Sequence, residues 1–238
     1  MEEQQILDNA YKFFLDLFNK KSESYGKKKV STFKINPFTI QAAAKAISED
    51  VDADSLSKAI VYPYALGTSI ATTFGTKTQE FIVTALGDQV RGSGIQGMDI
   101  EYDDVLDGRH KFCQLKAGPA TINKDDIKTI EDHFQRLVNL GRTNHLNIGM
   151  EDRVVGVLYS TPDDLSGMYR RLNNHGIVVL AGKDLWYHLT GYEDLYGKLI
   201  QVAQEAAEHS SIKSNVDQLI AKVKKMLEEN PDIYGSNE

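Results

Sequence analysis

Cysteine is almost missing from this chain: Cys113 is the single one among 238 residues. One thiol excludes an internal disulfide and any cysteine-rich zinc site, and a reducing cytoplasm is the simplest home for such a protein. Its place on the inward parity of a predicted strand makes Cys113 a core thiol rather than a nucleophile. No apolar run approaches membrane-span length, and the opening MEEQQILDNAYKFF has early acids where a secretory signal needs a basic and then an apolar stretch. Histidines 110, 133, 145, 175, 188 and 209 lack metalloprotease or zinc-finger spacing, and no serine, histidine and acid arrangement stands out. The glycine-rich stretch at 91–97 lacks the lysine and hydroxyl residue that end a nucleotide P-loop, so it reads as a flexible approach to Asp99. Internal repeats and low-complexity segments are absent too.

Positive charge is also short. With 27 Lys and Arg against 34 Asp and Glu, the formal charge is −7, which argues against a nonspecific nucleic-acid coat, whose affinity comes from neutralising phosphates. A nuclease is not excluded, because such an enzyme gathers its acids at one site and its bases in one cleft. Bases do cluster, at Lys20-Lys21, Lys27-Lys28-Lys29, Arg170-Arg171, and Lys222 with Lys224-Lys225; each cluster reads first as a solvated face. The apolar and charged fractions are ordinary for a globular protein, and the length suffices for a sizeable core.

The richest stretch runs from Met98 to Lys124. Asp99, Glu101 and Asp103 alternate with Ile100 and Tyr102, and a period of two puts three carboxylates on one face of a strand. Asp107-Gly108 suits a tight turn, after which residues 110–116 return as a second strand. Along it Phe112, Gln114 and Lys116 share a face, while Cys113 and Leu115 point the other way. Such a hairpin brings acids beside an amide and an ammonium. That set suits metal-dependent attack on a phosphodiester: oxygen ligands hold a hard divalent ion, and the lysine orients or deprotonates the attacking water. A solvated charged hairpin would show the same spacing.

Around this hairpin the periodicity gives an α/β chain. Residues 2–20 form an amphipathic helix, followed by a polar, lysine-bearing loop over 22–32. Asn36-Pro37 starts a short helix; Asp54 caps another over 55–66, which Pro63 distorts or ends. Residues 68–86 carry a further helical stripe. After the hairpin, Asn123 caps a helix with Ile127, Ile130, Phe134 and Leu137 on its buried side. Residues 153–159 form an interior strand, Thr161-Pro162-Asp163-Asp164 opens the next helix, and 177–181 is another strand. Helices occupy 194–209 and 216–228. The order implies a mixed central sheet with helices on its faces and helical additions at both ends, divided at 1–66, 67–190 and 191–238 within what reads as one continuous domain.

Leu115-Lys116-Ala117-Gly118 followed by Thr121-Ile122 resembles type II restriction endonucleases of the PD-(D/E)xK superfamily, and more narrowly the group that cuts sites with a GG-N-CC core. Further matching pieces are Ile35-Asn36-Pro37-Phe38, Phe74-Gly75 with Glu80, Val154-Val155-Gly156-Val157 with Tyr159, Tyr169-Arg170, and Ala181-Gly182-Lys183 with Trp186. They keep the same order over roughly residues 34–190. Two departures stand out: Met98 replaces the proline of the superfamily name, and Gln114 replaces an acid, which removes a charge from the metal site.

The resemblance implies the nuclease core and a Mg2+ ion held by Asp99, Glu80, Gln114 and the Leu115 carbonyl, with Lys116 positioning the water. Glu80 matches a family glutamate on the preceding helix, and Glu101 is the alternative. Thr121, Asn123 and Lys124 would approach the DNA beside the lysine; Arg170 or Arg171 could read guanine, and Asn173 or Asn174 adenine, although all four also read as ordinary helix-surface residues. A homodimer acting on double-stranded palindromic DNA, and a paired DNA methyltransferase, belong to the same expectation. Two rivals are a repair or mobile-element nuclease on the same fold and a catalytically inactive DNA-binding protein.

Overall fold

The computed structural model describes residues 1–230. Its helices are α1 (Glu3–Gly26), α2 (Pro37–Ile47), α3 (Ala53–Tyr62), α4 (Ile70–Thr76), α5 (Thr78–Leu86), α6 (Lys124–Thr143), α7 (Gly167–Asn174), α8 (Lys183–Thr190), α9 (Leu195–His209) and α10 (Ile212–Glu228). The strands are β1 (Val90–Gly92), β2 (Ile100–Asp103), β3 (His110–Lys116), β4 (Arg153–Val157) and β5 (Val178–Ala181). The described residues divide into two units, one of residues 1–13 and 75–203, the other of 14–74 and 204–230.

The first unit holds a five-stranded sheet in the order β1-β2-β3-β4-β5, antiparallel from β1 to β3 and parallel from β3 to β5. The hairpin forms as its turn residues require: Gly108 has φ +69, a conformation open to glycine at no steric cost. Mixed pairing follows from connection length, since β2 and β3 join by a short turn while β3 and β4 are separated by α6. In α6 the residues Ile127, Ile130, Phe134, Leu137 and Gly141 recur at helical spacing and are all buried. They share one core with Phe112, Val155 and Val157 of the sheet and with Tyr169 and Leu172 of α7. By alternation Gln114 and Lys116 emerge on this same α6 face. The opposite face carries Cys113 and Leu115; a Cβ on Gly156 would meet both, together with Leu185 of α8. Beyond them Phe81 of α5 packs edge-on to Trp186, ring centroids 5.7 Å apart.

The second unit is helical. Val216, Leu219, Ile220, Val223 and Leu227 of α10 are buried, as are Leu56, Ala59 and Ile60 of α3, and these two helices pack together. Among the described residues no helix is long and apolar enough to cross a membrane.

Several local expectations need correction. The loop expected at 22–32 is mostly helix, because Ser22 is buried against Asn215 at 2.6 Å and Tyr25 donates its hydroxyl to the Ala65 carbonyl at 2.7 Å. Asp52, not Asp54, caps α3; Ser55 closes the reciprocal pair with Asp52. At Pro63 the helix widens into a π-helical segment, Pro63–Ser69, since proline cannot donate the i−4 bond. The stripe over 68–86 is two helices broken at Lys77, whose backbone leaves helical geometry. Part of the glycine-rich stretch is β1, which pairs with β2 through Arg91↔Glu101 and Gly92↔Ile100. Residues 162–164 make only a 3-10 turn ahead of α7.

Candidate active site

β2 begins at Ile100, directly after Asp99, and the Asp99 carboxylate extends the pairing beyond the end of the ladder. The Asp99 N–H donates to the Cys113 carbonyl at 2.9 Å, and Asp99 Oδ2 accepts from the Leu115 N–H at 2.6 Å. Continuing the register of Ile100↔Cys113 sets Asp99 opposite Gln114. Strand alternation directs the Leu115 carbonyl to the same side as its N–H, beside Asp99. Asp99, Gln114, Leu115 and Lys116 are thus brought together at one end of the hairpin.

The side chains of Asp99, Gln114 and Lys116 are half-buried. Burial raises the proton affinity of Asp99; the Leu115 N–H, the Lys116 charge and the nearness of His133 oppose this only in part, and its pKa stays above the ordinary aspartate value. Oε1 of Gln114 is buried with no hydrogen-bond partner among the described residues, an unusual state for a carbonyl oxygen. Lys116 makes no ion pair among the described residues. Cys113 lies on the other face, fully buried, and burial drives its thiol far up, so it is a core residue.

The two carboxylates weighed as companions to Asp99 have other partners. Glu80 is half exposed on α5 and pairs with Lys77. Its neighbour Gln79 reaches the site backbone instead, donating to the Asp99 carbonyl at 2.7 Å. Glu101 is buried and accepts from Arg91 at 2.6 Å and Ser93 at 2.7 Å, with His110 at 3.3 Å. Burial alone would raise the Glu101 pKa, but the bonds from Ser93, Arg91 and His110 and the Arg91 charge outweigh it and hold it low. Among the described residues no three His, Cys, Asp or Glu side chains cluster as a metal cage; what the site offers is one carboxylate, a buried amide oxygen and a backbone carbonyl.

The family model of type II restriction endonuclease EcoO109I matches residues 12–211. The chain belongs to that family. Membership makes it a restriction endonuclease acting on DNA, and the matched range includes every residue of the hairpin site. Among curated proteins none matches the chain.

Within this restriction-endonuclease frame, the residues expected to meet DNA fall into two groups. Thr121, Asn123 and Asn173 hold backbone: Thr121 donates to the Gly118 carbonyl at 2.9 Å, Asn123 caps α6 by accepting from the Asp125 and Asp126 N–H groups, and Asn173 accepts from the Val179 N–H at 3.0 Å. Lys124, Arg170 and Arg171 are exposed and make no ion pair among the described residues. Sequence reasoning missed His133 and Gln79, whose positions depend on how α6 and α5 dock. It also missed Lys111, which is buried against Asp107, Asp104 and the Glu151 carbonyl. A cleft of about 620 Å³ opens on the α6 face, with Glu101, His110, Phe112, Leu137 and Ile148 in its walls, but Asp99, Gln114 and Lys116 do not line it.

Proposed function

We propose that the chain is a magnesium-dependent type II endonuclease that cuts palindromic or interrupted-palindromic duplex DNA as a homodimer, leaving 5′-phosphate and 3′-hydroxyl ends. The observation that carries this reading is the Asp99 carboxylate bonded into β3 at Leu115, between Gln114 and Lys116. A divalent cation fits this donor set, because the buried Gln114 oxygen lacks the partner that such an ion would be. Asp99, Gln114 and the Leu115 carbonyl would hold it, and Glu80 would add a carboxylate from α5 on releasing Lys77. The cation supplies positive charge to offset the negative charge that develops on the scissile phosphate.

The protein does the rest. Lys116 directs its ammonium to the attacking water and the phosphate; water oxygen bonds to phosphorus as the water gives up a proton to solvent, the bond to O3′ breaks, and the leaving oxygen takes a proton from solvent. Lys124, Arg170 and Arg171 neutralise phosphates or read base edges, while Thr121, Asn123 and Asn173 shape the segments that carry them. The family likeness favours a recognition site with a GG-N-CC core and a companion methyltransferase that protects host DNA. Phe38, exposed near the start of α2 in the second unit, offers an apolar contact for the dimer.

The test is incubation of the protein with mapped plasmid and phage DNA, with magnesium or chelator, beside Lys116→Ala. Discrete fragments that need both magnesium and Lys116 support the reading, and their end sequences define the site. A smear points to a nuclease without sequence choice, and intact DNA in every lane sinks the proposal.

A further inference from the structure

Two buried polar atoms near Asp99 have no hydrogen-bond partner among the described residues: Oε1 of Gln114 and Nδ1 of His133. Buried polar groups are normally paired, so two orphans in one neighbourhood suggest a shared missing partner. The fold explains why they meet. Phe134 packs in the core that contains Met98 and Phe112, which lays α6 over the segment leading to Asp99. His133, one residue earlier on α6, lies with its ring against Gly97: a Cβ there would come within 2.3 Å of the imidazole, and Gly97 has φ +88. Only glycine lets the backbone pass so close. Gln114 and Lys116 emerge on this α6 face, Asp99 stands opposite Gln114, and His133 is near enough to influence the Asp99 carboxylate. Glu80 would approach from α5, whose Gln79 already reaches the Asp99 carbonyl at 2.7 Å, so His133 would enter from the opposite, α6 side.

We propose that His133 is a metal ligand of this site through its imidazole Nδ1, completing with Asp99 and Gln114 the set that lacks an acid at position 114. The inference rests on the Asp99 reading given under Proposed function. A nitrogen donor replaces one hard oxygen, and imidazole suits first-row metals such as iron, nickel, copper and zinc, with manganese the weakest of that series, better than magnesium and calcium. The chain should therefore discriminate against magnesium more than a site built from carboxylates alone.

The experiment is Mn2+ titration of the full chain without DNA, followed by electron paramagnetic resonance, with spin-echo modulation to detect directly bound nitrogen. Wild type should bind Mn2+ and show nitrogen modulation. His133→Ala should lose the modulation and bind Mn2+ at least about tenfold more weakly, with a smaller loss for Mg2+. Asp99→Ala should lose the ion altogether. Mn2+ bound through Asp99 in wild type without nitrogen modulation, or modulation that survives in His133→Ala, overturns the role of His133 and leaves the Asp99 site standing. Mn2+ binding that Asp99→Ala does not disturb overturns the site reading itself. Where a variant fails to fold, a wild-type spectrum without nitrogen modulation still overturns the role of His133.

Discussion

At the scale of single residues, the proton affinity of Asp99 fixes two expectations. Burial raises its pKa in the folded chain above the ordinary carboxylate value of about 4. Between those two values the folded state binds more protons than the unfolded one, so stability falls as pH rises through the window and stays lowered above it. Asp99→Asn keeps an acceptor for the Leu115 N–H and removes the charge. It should melt higher than wild type at pH 7 without divalent ions, and depend less on pH, in differential scanning calorimetry; a lower melting point would mean that the carboxylate stabilises the fold. Lys116 carries a separate expectation. If its ammonium acts only on the attacking water and the phosphate, Lys116→Ala should lower single-turnover cleavage by about 10²–10⁴-fold, the range for a positioned proton-transfer group. Duplex binding in calcium should change little, and a parallel loss of binding would assign the lysine to DNA affinity instead.

At the scale of elements, α6 joins the core to the site, and its N-terminus separates structure from recognition. Asn123 caps two N–H groups, and the Asp126 carboxylate accepts from the Asn123 N–H in return. Removing the cap with Asn123→Ala should cost about 1 kcal/mol in urea unfolding. Asn123→Asp preserves the cap and adds a negative charge; it should unfold like wild type yet bind duplex more weakly if this turn faces phosphate, and equal binding would confine Asn123 to capping. The same helix shows what could be read in advance. Its apolar stripe, cap and length are local properties of residues 123–141, as the hairpin's alternation and Asp107-Gly108 turn are local to 99–116, so both were legible, and parity alone put Gln114 and Lys116 on one face. The continuation of α1 past Ser22 was not, because the partners of Ser22 and Tyr25 lie at Asn215 and Ala65. Strand β1 is three residues long and exists by pairing with β2. His133 stayed hidden for the same reason: nothing within four residues of it says that Gly97 will press on its ring.

At the scale of the whole molecule, charge and symmetry set the terms of DNA binding. A chain of net charge −7 gains duplex affinity only where its bases gather, so each phosphate neutralised should appear as about 0.9 in the slope of log affinity against log salt. Single charge removals at Lys124, Arg170 or Arg171 should each flatten that slope by about one phosphate contact; an unchanged slope moves the interface elsewhere. Symmetry adds a stricter demand. Each protomer carries one Asp99 site, and cutting both strands of a two-fold site in one encounter needs two of them. Wild type should therefore sediment at twice 26.6 kDa and convert supercoiled plasmid to linear with little nicked intermediate. Phe38 is 87% exposed on α2, with Ile47 and Leu66 also uncovered in the second unit, an apolar exposure that a partner copy would remove. Phe38→Asp combined with Ile47→Asp should yield a folded monomer that nicks slowly or not at all. A double variant that stays dimeric would place the interface on another face, and a monomer that still linearises plasmid in one step would end the homodimer reading.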